Sequence, residues 1–372
     1  MRILHVITTL DTGGAEHLMV DLLPRLNAMG HQAELLLFNG VETPFKAELR
    51  QKGVTIHELM NVPGNARHTE VYNPMNVMRL SRFLKGYDII HTHNTACQLY
   101  VPLAKLFTRS KALLITTEHN TTNSRRELWW YKPLDKWMYR KYAHVVCIGD
   151  KALENLEQYL GSGCHASTIY NGVDTKRFHH QIKDISGKDR FIITMVAAFR
   201  PQKDHETLLR SFTHLPGNYH LQLVGHGDRI DEMKELCHGL GLDDKVSFLG
   251  ARMDVPDILE QSDVIVLSSH WEGLSLSSIE GLASGRPFVA SDVEGLHEVV
   301  GGAGILFPEG DDQALADAIM KLCENPDDYR QVAEACQEKA KSFDISVMAG
   351  AYMNLYESLM SGTDSKTGTP NQ

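Results

Sequence analysis

Short apolar runs rich in β-forming residues alternate along the chain with stretches whose apolar positions recur every three or four residues. Runs of the first kind fall at Ile3–Thr8, Ala33–Phe38, Val54–Leu59, Asp88–His93, Ala112–Thr117 and His144–Ile148. Helical periodicity lies between them, as at Glu16–Met29, Asn76–Lys85 and Lys151–Leu160. Gly30, Gly86 and Gly161 stand where a helix C-cap is expected. Buried runs joined by helical crossovers predict a parallel sheet covered on both faces. The pattern restarts after a polar stretch, Asp174–Asp189, which reads as a linker. Further strands are expected at Phe191–Ala197, His220–Val224, Lys245–Leu249, Asp263–Leu267, Pro287–Ala290 and Gly304–Phe307. Helices are expected at His205–Thr213, Arg229–His238 and Leu276–Ser284, then at Asp312–Glu324, Tyr329–Ser342 and Ser346–Met360. The chain thus divides into two doubly wound α/β domains, 1–165 and 166–345, facing a central cleft. A final helix at 346–360 is expected to return to the first domain, and the polar tail 361–372 to be disordered. Ligands of such sheets bind beyond the carboxyl ends of the strands, so the residues just after each strand carry the chemistry.

The length of 372 residues suits two domains, and 42% apolar with 23% charged residues is ordinary for a soluble protein. No apolar run reaches the roughly 18–20 residues of a membrane-spanning helix. The start, Met1–Ile7, lacks the long apolar core of a secretory signal. Six scattered cysteines with no Cys-x-x-Cys pair read as reduced thiols, and a cytoplasmic location is expected. The net charge of −10 conceals an asymmetry. Residues 1–160 hold 19 Lys and Arg against 15 Asp and Glu, whereas residues 161–372 hold 18 against 32. Nine of the basic residues crowd into 105–141. An anionic partner is expected on that side, as a membrane surface or a phosphorylated substrate; an acidic remainder argues against nucleic acid.

Three constellations follow strand ends. Gly13-Gly14 opens the first helix, where backbone N–H groups can approach an anion, although a flexible turn would look the same. After the second domain's first strand, Arg200 and Lys203 lie three apart on a loop. A guanidinium and an ammonium there suit a diphosphate, if they are not simply solvated. The third stretch, Ser268–Pro287, sets Glu272 just before a helix starting near Ser275 and Glu280 within that helix. A carboxylate accepts hydrogen bonds from vicinal sugar hydroxyls, so the pair can serve opposite ends of one ligand.

Glu272 and Glu280 form an E-x7-E pair. Together with Arg200, Lys203, Gly13-Gly14 and Tyr170–Asp174, it makes the chain resemble a retaining GT-B glycosyltransferase of family 4 over residues 1 to about 345. The resemblance implies two Rossmann-like domains, the second binding a nucleotide-sugar and the first an acceptor. It assigns Arg200 and Lys203 to the diphosphate, Glu280 to the ribose, and Glu272 with Gly273, Leu274 and Ser275 to the donor sugar. It sets Gly13 and Gly14 near the phosphates and matches His119, in Thr117-Glu118-His119-Asn120, to an active-site histidine beside the sugar. The implied reaction moves a hexose, from UDP more readily than GDP on family frequency, to a hydroxyl of a glycan or lipid-linked acceptor in cell-envelope synthesis. No cofactor is expected. Metal-using transferases usually carry Asp-x-Asp, absent from this sequence, and the cations with a helix N-terminus can stabilise the departing diphosphate instead. A sugar-nucleotide epimerase of the same architecture and a catalytically silent sugar-nucleotide-binding scaffold are the alternatives.

Two features stand outside that assignment. The segment 124–142 carries three of the four Trp residues among cations. It reads either as a membrane-interface element at the inner face of the cell membrane, or as a helix from Pro133 to Tyr142 whose aromatics pack on the sheet. His91 and His93 share one strand face with no third ligand in view, and read as buried or strand-end histidines more readily than as a metal site.

Overall fold

A computed structural model describes the chain except residues 12, 63–70, 121–125, 127, 162–163 and 363–372. The chain forms two compact units, one of Met1–Asn171 with Ile345–Gln372 and one of Gly172–Asp344.

The first unit contains β1 (Arg2–Ile7), β2 (Gln32–Asn39), β3 (Ile56–Met60), β4 (Ile89–His93), β5 (Leu113–Glu118), β6 (His144–Cys147) and β7 (Ala166–Thr168). They form one sheet in the order β3-β2-β1-β4-β5-β6-β7, with every pairing parallel. The strand β1 shows why its run is unbroken. After exposed Arg2, Ile3 and Ile7 enter the core on one face and Leu4 and Val6 the core on the other, leaving no further position for a solvated side chain. The first helix, Gly14–Ala28, sets Leu18, Leu22 and Leu26 into the first of these cores at four-residue spacing. The last helix, Ile345–Ser361, lays Met348, Tyr352 and Tyr356 into the same core. Strand β7, too short to signal itself in the sequence, pairs with β6 and carries this unit past the expected boundary at 165.

The second unit contains β8 (Phe191–Val196), β9 (Tyr219–Val224), β10 (Val246–Gly250), β11 (Val264–Leu267), β12 (Phe288–Ser291) and β13 (Ile305–Phe307). The order is β10-β9-β8-β11-β12-β13, again wholly parallel. The stretch 174–189 is not a free linker. It holds a short helix, Thr175–Phe178, and inserts Phe178 and Ile185 into this unit's core. With partly buried Ile182 packed beside them, three apolar residues among many polar ones are enough to anchor it.

Among the described residues, two besides glycine take a left-handed φ: Asn94 at 72° and Asp204 at 40°. Each stands at the start of a helix, Thr95–Leu106 and His205–His214, on the side of the sheet where ligands bind.

Candidate active site

In the second unit two loops leave neighbouring strand ends. Ala197–Arg200 follows β8 and runs into a 3-10 turn, Pro201–Lys203; residues 268–275 follow β11 and lead into the helix Leu276–Ala283. Polar contacts zip them together. The Lys203 ammonium pairs with the Glu272 carboxylate, with side chains 14% and 5% exposed. Ser269 Oγ donates to Glu272 Oε1 at 2.6 Å, and Gln202 Nε2 donates to Glu272 Oε2 at 3.3 Å and to the Trp271 carbonyl at 2.7 Å. Ser268 Oγ donates to the Asp204 carbonyl at 2.9 Å, and the His270 amide to the Gln202 carbonyl at 2.8 Å. A third loop holds Glu272 from behind. Gly295, at φ +85°, packs so closely on the backbone oxygens of Glu272 and Gly273 that no Cβ fits.

The two sequence-predicted cations therefore differ. Arg200 is exposed and no described side chain pairs with it, whereas Lys203 is committed to Glu272. An ammonium has three donors, so Lys203 can neutralise Glu272 and still offer N–H groups to an anion. Gly273 is half-buried and Leu274 buried, and Ser275 is the N-cap residue of the helix without capping it by its side chain; Ser275 Oγ instead lies 2.9 Å from Ser277 Oγ. Glu280 is buried within that helix. The structure joins Lys203 and Glu272 directly.

In the first unit Gly13 is the N-cap of the first helix and Gly14 its first residue. The Glu16 carboxyl folds over Gly13, where a Cβ would collide with it, and burial raises its pKa. His119 follows β5. Its Nε2 lies 2.9 Å from His93 Nδ1, and His93 Nε2 lies 3.0 Å from His5 Nδ1. Burial pushes His119 down to about 4, His5 to about 3, and His91 and His93 well below the usual imidazole range. The reading of His91 and His93 as a pair without a third ring is corrected here. His5 on β1 stands in register with His91 on β4, and ring nitrogens of His5, His91 and His93 gather within 4.8 Å. His91 is fully engaged, with Nδ1 2.6 Å from Tyr356 Oη and Nε2 2.7 Å from Thr117 Oγ1. In a doubly wound sheet the first and fourth strands are neighbours; that rule was the available signal for His5.

A cavity of about 720 Å3 opens at the carboxyl ends of β1, β2 and β4. Its lining includes Thr8, Asp11, Asn39, Glu42, Thr43 and Asn94, with no Lys or Arg among the described residues. Sequence reasoning missed it, because its walls come from four separated segments, 8–11, 39–44, 71–72 and 94–96. Of the segment 124–142, residues 124, 125 and 127 lie outside the described residues. Arg126 pairs with buried Glu118 at 3.0 Å. The helix covers Lys132–Tyr139, ending before Tyr142, and buries Met138 and Tyr139. Trp129 and Trp130 stay 85% and 58% exposed. The packing reading holds for the helix and fails for these two indoles.

Residues 12–177 match glycosyltransferase family 4, and residues 176–342 match glycosyl transferases group 1. The N-acetyl-alpha-D-glucosaminyl L-malate synthase of Bacillus anthracis is 24% identical over 96% of this chain and 97% of its own. The Escherichia coli UDP-Gal:alpha-D-GlcNAc-diphosphoundecaprenol alpha-1,3-galactosyltransferase is 25% identical over 71% of this chain and 74% of its own. Among solved structures, Anabaena HepE in complex with UDP and glucose superposes with a TM-score of 0.82. It covers 96% of this chain and 100% of the other at 22% identity. With two parallel-sheet Rossmann-like units and two adjoining family matches spanning 12–342, the chain belongs to the GT-B glycosyltransferases of family 4.

Proposed function

We propose that this enzyme moves a hexose from a UDP-sugar to a hydroxyl of a glycan or lipid-linked acceptor in cell-envelope synthesis, with retention of configuration. The carrying observation is the buried Lys203–Glu272 pair beside exposed Arg200, at the strand ends where such sheets bind ligands. Arg200 and the spare donors of Lys203 take the diphosphate. Glu272, with Gly273, Leu274 and Ser275, accepts from the sugar hydroxyls, and Glu280 from the ribose. Gly13 and Gly14 offer backbone N–H groups to phosphate at a helix N-terminus once the Glu16 carboxyl swings away, and His119 serves the donor sugar. The cations and helix N-termini supply the electrostatic work of departure, so no divalent metal is needed. The departing phosphate oxygen takes the acceptor proton, and no side-chain nucleophile is assigned. The E. coli relative's lipid-linked acceptor and the UDP in HepE support this choice of substrates.

The cavity in the first unit supports a neutral, hydroxyl-rich acceptor group. Its carboxylates, amides and hydroxyls suit sugar hydroxyls, which these groups can both accept from and donate to. A panel of UDP- and GDP-sugars read by thermal shift should raise the melting point with one UDP-sugar. Arg200→Ala should abolish most of that shift, and turnover should survive EDTA. Loss of turnover in EDTA, or wild-type turnover in Arg200→Ala, would defeat the assignment. Exposed Trp129 and Trp130 beside the basic segment support contact with an anionic membrane at the cytoplasmic face. Co-flotation with anionic vesicles that disappears in the double alanine variant is the expected result.

A further inference from the structure

His5, His93 and His119 form a file of imidazoles from the interior of the first sheet to its ligand-binding edge, with contacts of 3.0 and 2.9 Å. His5 and His93 are wholly buried, and His5 Nε2 is a buried nitrogen with no hydrogen-bond partner. Burial keeps all three rings neutral near pH 7, so each carries one N–H. That condition leaves two arrangements. If His119 Nε2–H donates to His93 and His93 to His5, then His5 must bear its proton on Nε2, as a buried N–H without an acceptor. If instead His5 Nδ1–H donates to His93 Nε2, and His93 Nδ1–H to His119 Nε2, the orphan at His5 is a bare lone pair. A buried N–H without an acceptor is the rarer and costlier defect.

We infer that His5 and His93 are positioning residues that fix His119 as the Nδ1–H tautomer, presenting a hydrogen-bond donor and not a base to the sugar. This rests on the reading of His119 as a donor-sugar residue; the tautomer does not. No described residue bonds His119 Nδ1, which is therefore available to an oxygen acceptor. The ligand would be a sugar hydroxyl oxygen, or oxygen gaining negative charge as the diphosphate leaves. The orphaned nitrogen sits at the far end of the file from the substrate, and its emptiness dictates which way every N–H points.

The three nitrogens of His5, His91 and His93 within 4.8 Å also admit a metal ion, but the rings are nearly face to face. His91 and His93 stack at 4.5 Å between centroids, and both nitrogens of each ring are already bonded. Such rings aim their lone pairs apart.

The test uses full-length protein labelled with 15N-histidine and a long-range 1H–15N correlation, with the His119 signals assigned by comparison with His119→Asn. The expected spectrum has His119 protonated at Nδ1 at pH 7. In His93→Phe that preference should fade, and kcat should fall about tenfold with the donor KM changed less than threefold. An amide nitrogen in His93→Asn can take the place of Nδ1 and donate to His119, so this variant should keep the tautomer and most of kcat. An Nε2–H signal from His119 in the wild type would overturn the inference, whether or not the variants fold. One equivalent of zinc, nickel or copper in the purified protein, lost in His5→Phe, would overturn it too. An Nδ1–H signal in a protein that turns over no nucleotide-sugar would sustain the tautomer and sink the proposed function instead.

Discussion

The Lys203–Glu272 pair binds two nearly buried charges, and each is tolerable because the other is present. Removing the amine strands a carboxylate among Ser269, Gln202 and apolar neighbours, a change that costs about 3 kcal/mol or more in comparable pairs. Lys203→Ala should therefore lower the melting point of the second unit as well as UDP-sugar affinity. The double variant Lys203→Ala/Glu272→Gln should recover much of the stability but none of the turnover. Differential scanning calorimetry beside a turnover assay separates the two effects. Arg200 stands in contrast, exposed and unpaired by any described side chain. Arg200→Ala should leave the melting point within about 1 °C and still remove most of the activity. On the other unit, Tyr356→Phe deletes the bond to His91 and should cost about 1 kcal/mol, measured by urea denaturation.

At the scale of elements, the loop 268–275 depends on what stands behind it. Gly295 touches the carbonyls of Glu272 and Gly273 at a φ that L side chains rarely adopt. Gly295→Ala should displace Glu272 and weaken donor binding at least tenfold, by isothermal titration with UDP, while far-ultraviolet circular dichroism stays native. Twelve of the thirteen strands were legible in the sequence, central ones such as β1 and β11 as unbroken apolar runs and others such as β9 as alternating ones. Strand β7 was not, since three residues, Ala166–Thr168, make no run. Arg200, Lys203 and Glu272 were legible because they follow strands directly within one contiguous unit. The histidine file was hidden for the opposite reason. His5 and His91 lie far apart in the chain and become neighbours only through the order β1-β4, which no local pattern encodes. The cavity walls, drawn from segments after β1, β2, β3 and β4, share that cause.

On the whole molecule, buried histidines are divided unequally between the two units. His5, His91, His93 and His119 belong to the first, and His205, depressed to about 3, to the second. Each is held neutral when folded and gains a proton near pH 6.5 when unfolded. The unfolded state therefore binds more protons below that pH, and stability falls as pH drops from 6.5 toward the folded values. Each such histidine contributes at most about 1.4 kcal/mol per pH unit in that window. Calorimetry should thus show the first unit's transition falling much faster than the second's between pH 6.5 and 4.5. A parallel decline of both would contradict the assignment of neutral, buried rings. Deleting residues 345–372 removes Met348, Tyr352 and Tyr356 from the first unit's core, and should lower its transition while sparing that of the second.

That last helix also bears on how the polypeptide is made. The unit that begins at Met1 is completed by Ile345–Ser361, whereas Gly172–Asp344 is continuous. As the nascent chain leaves the ribosome, the amino-terminal lobe must wait, with the part of one apolar sheet face that Met348, Tyr352 and Tyr356 cover left exposed, until the carboxyl-terminal segment has emerged. The later-made lobe has every residue it needs first. Vectorial synthesis is thereby uncoupled from the usual order of maturation, and the stretch between translation of residue 171 and of residue 361 is where a holding chaperone would have the most to protect.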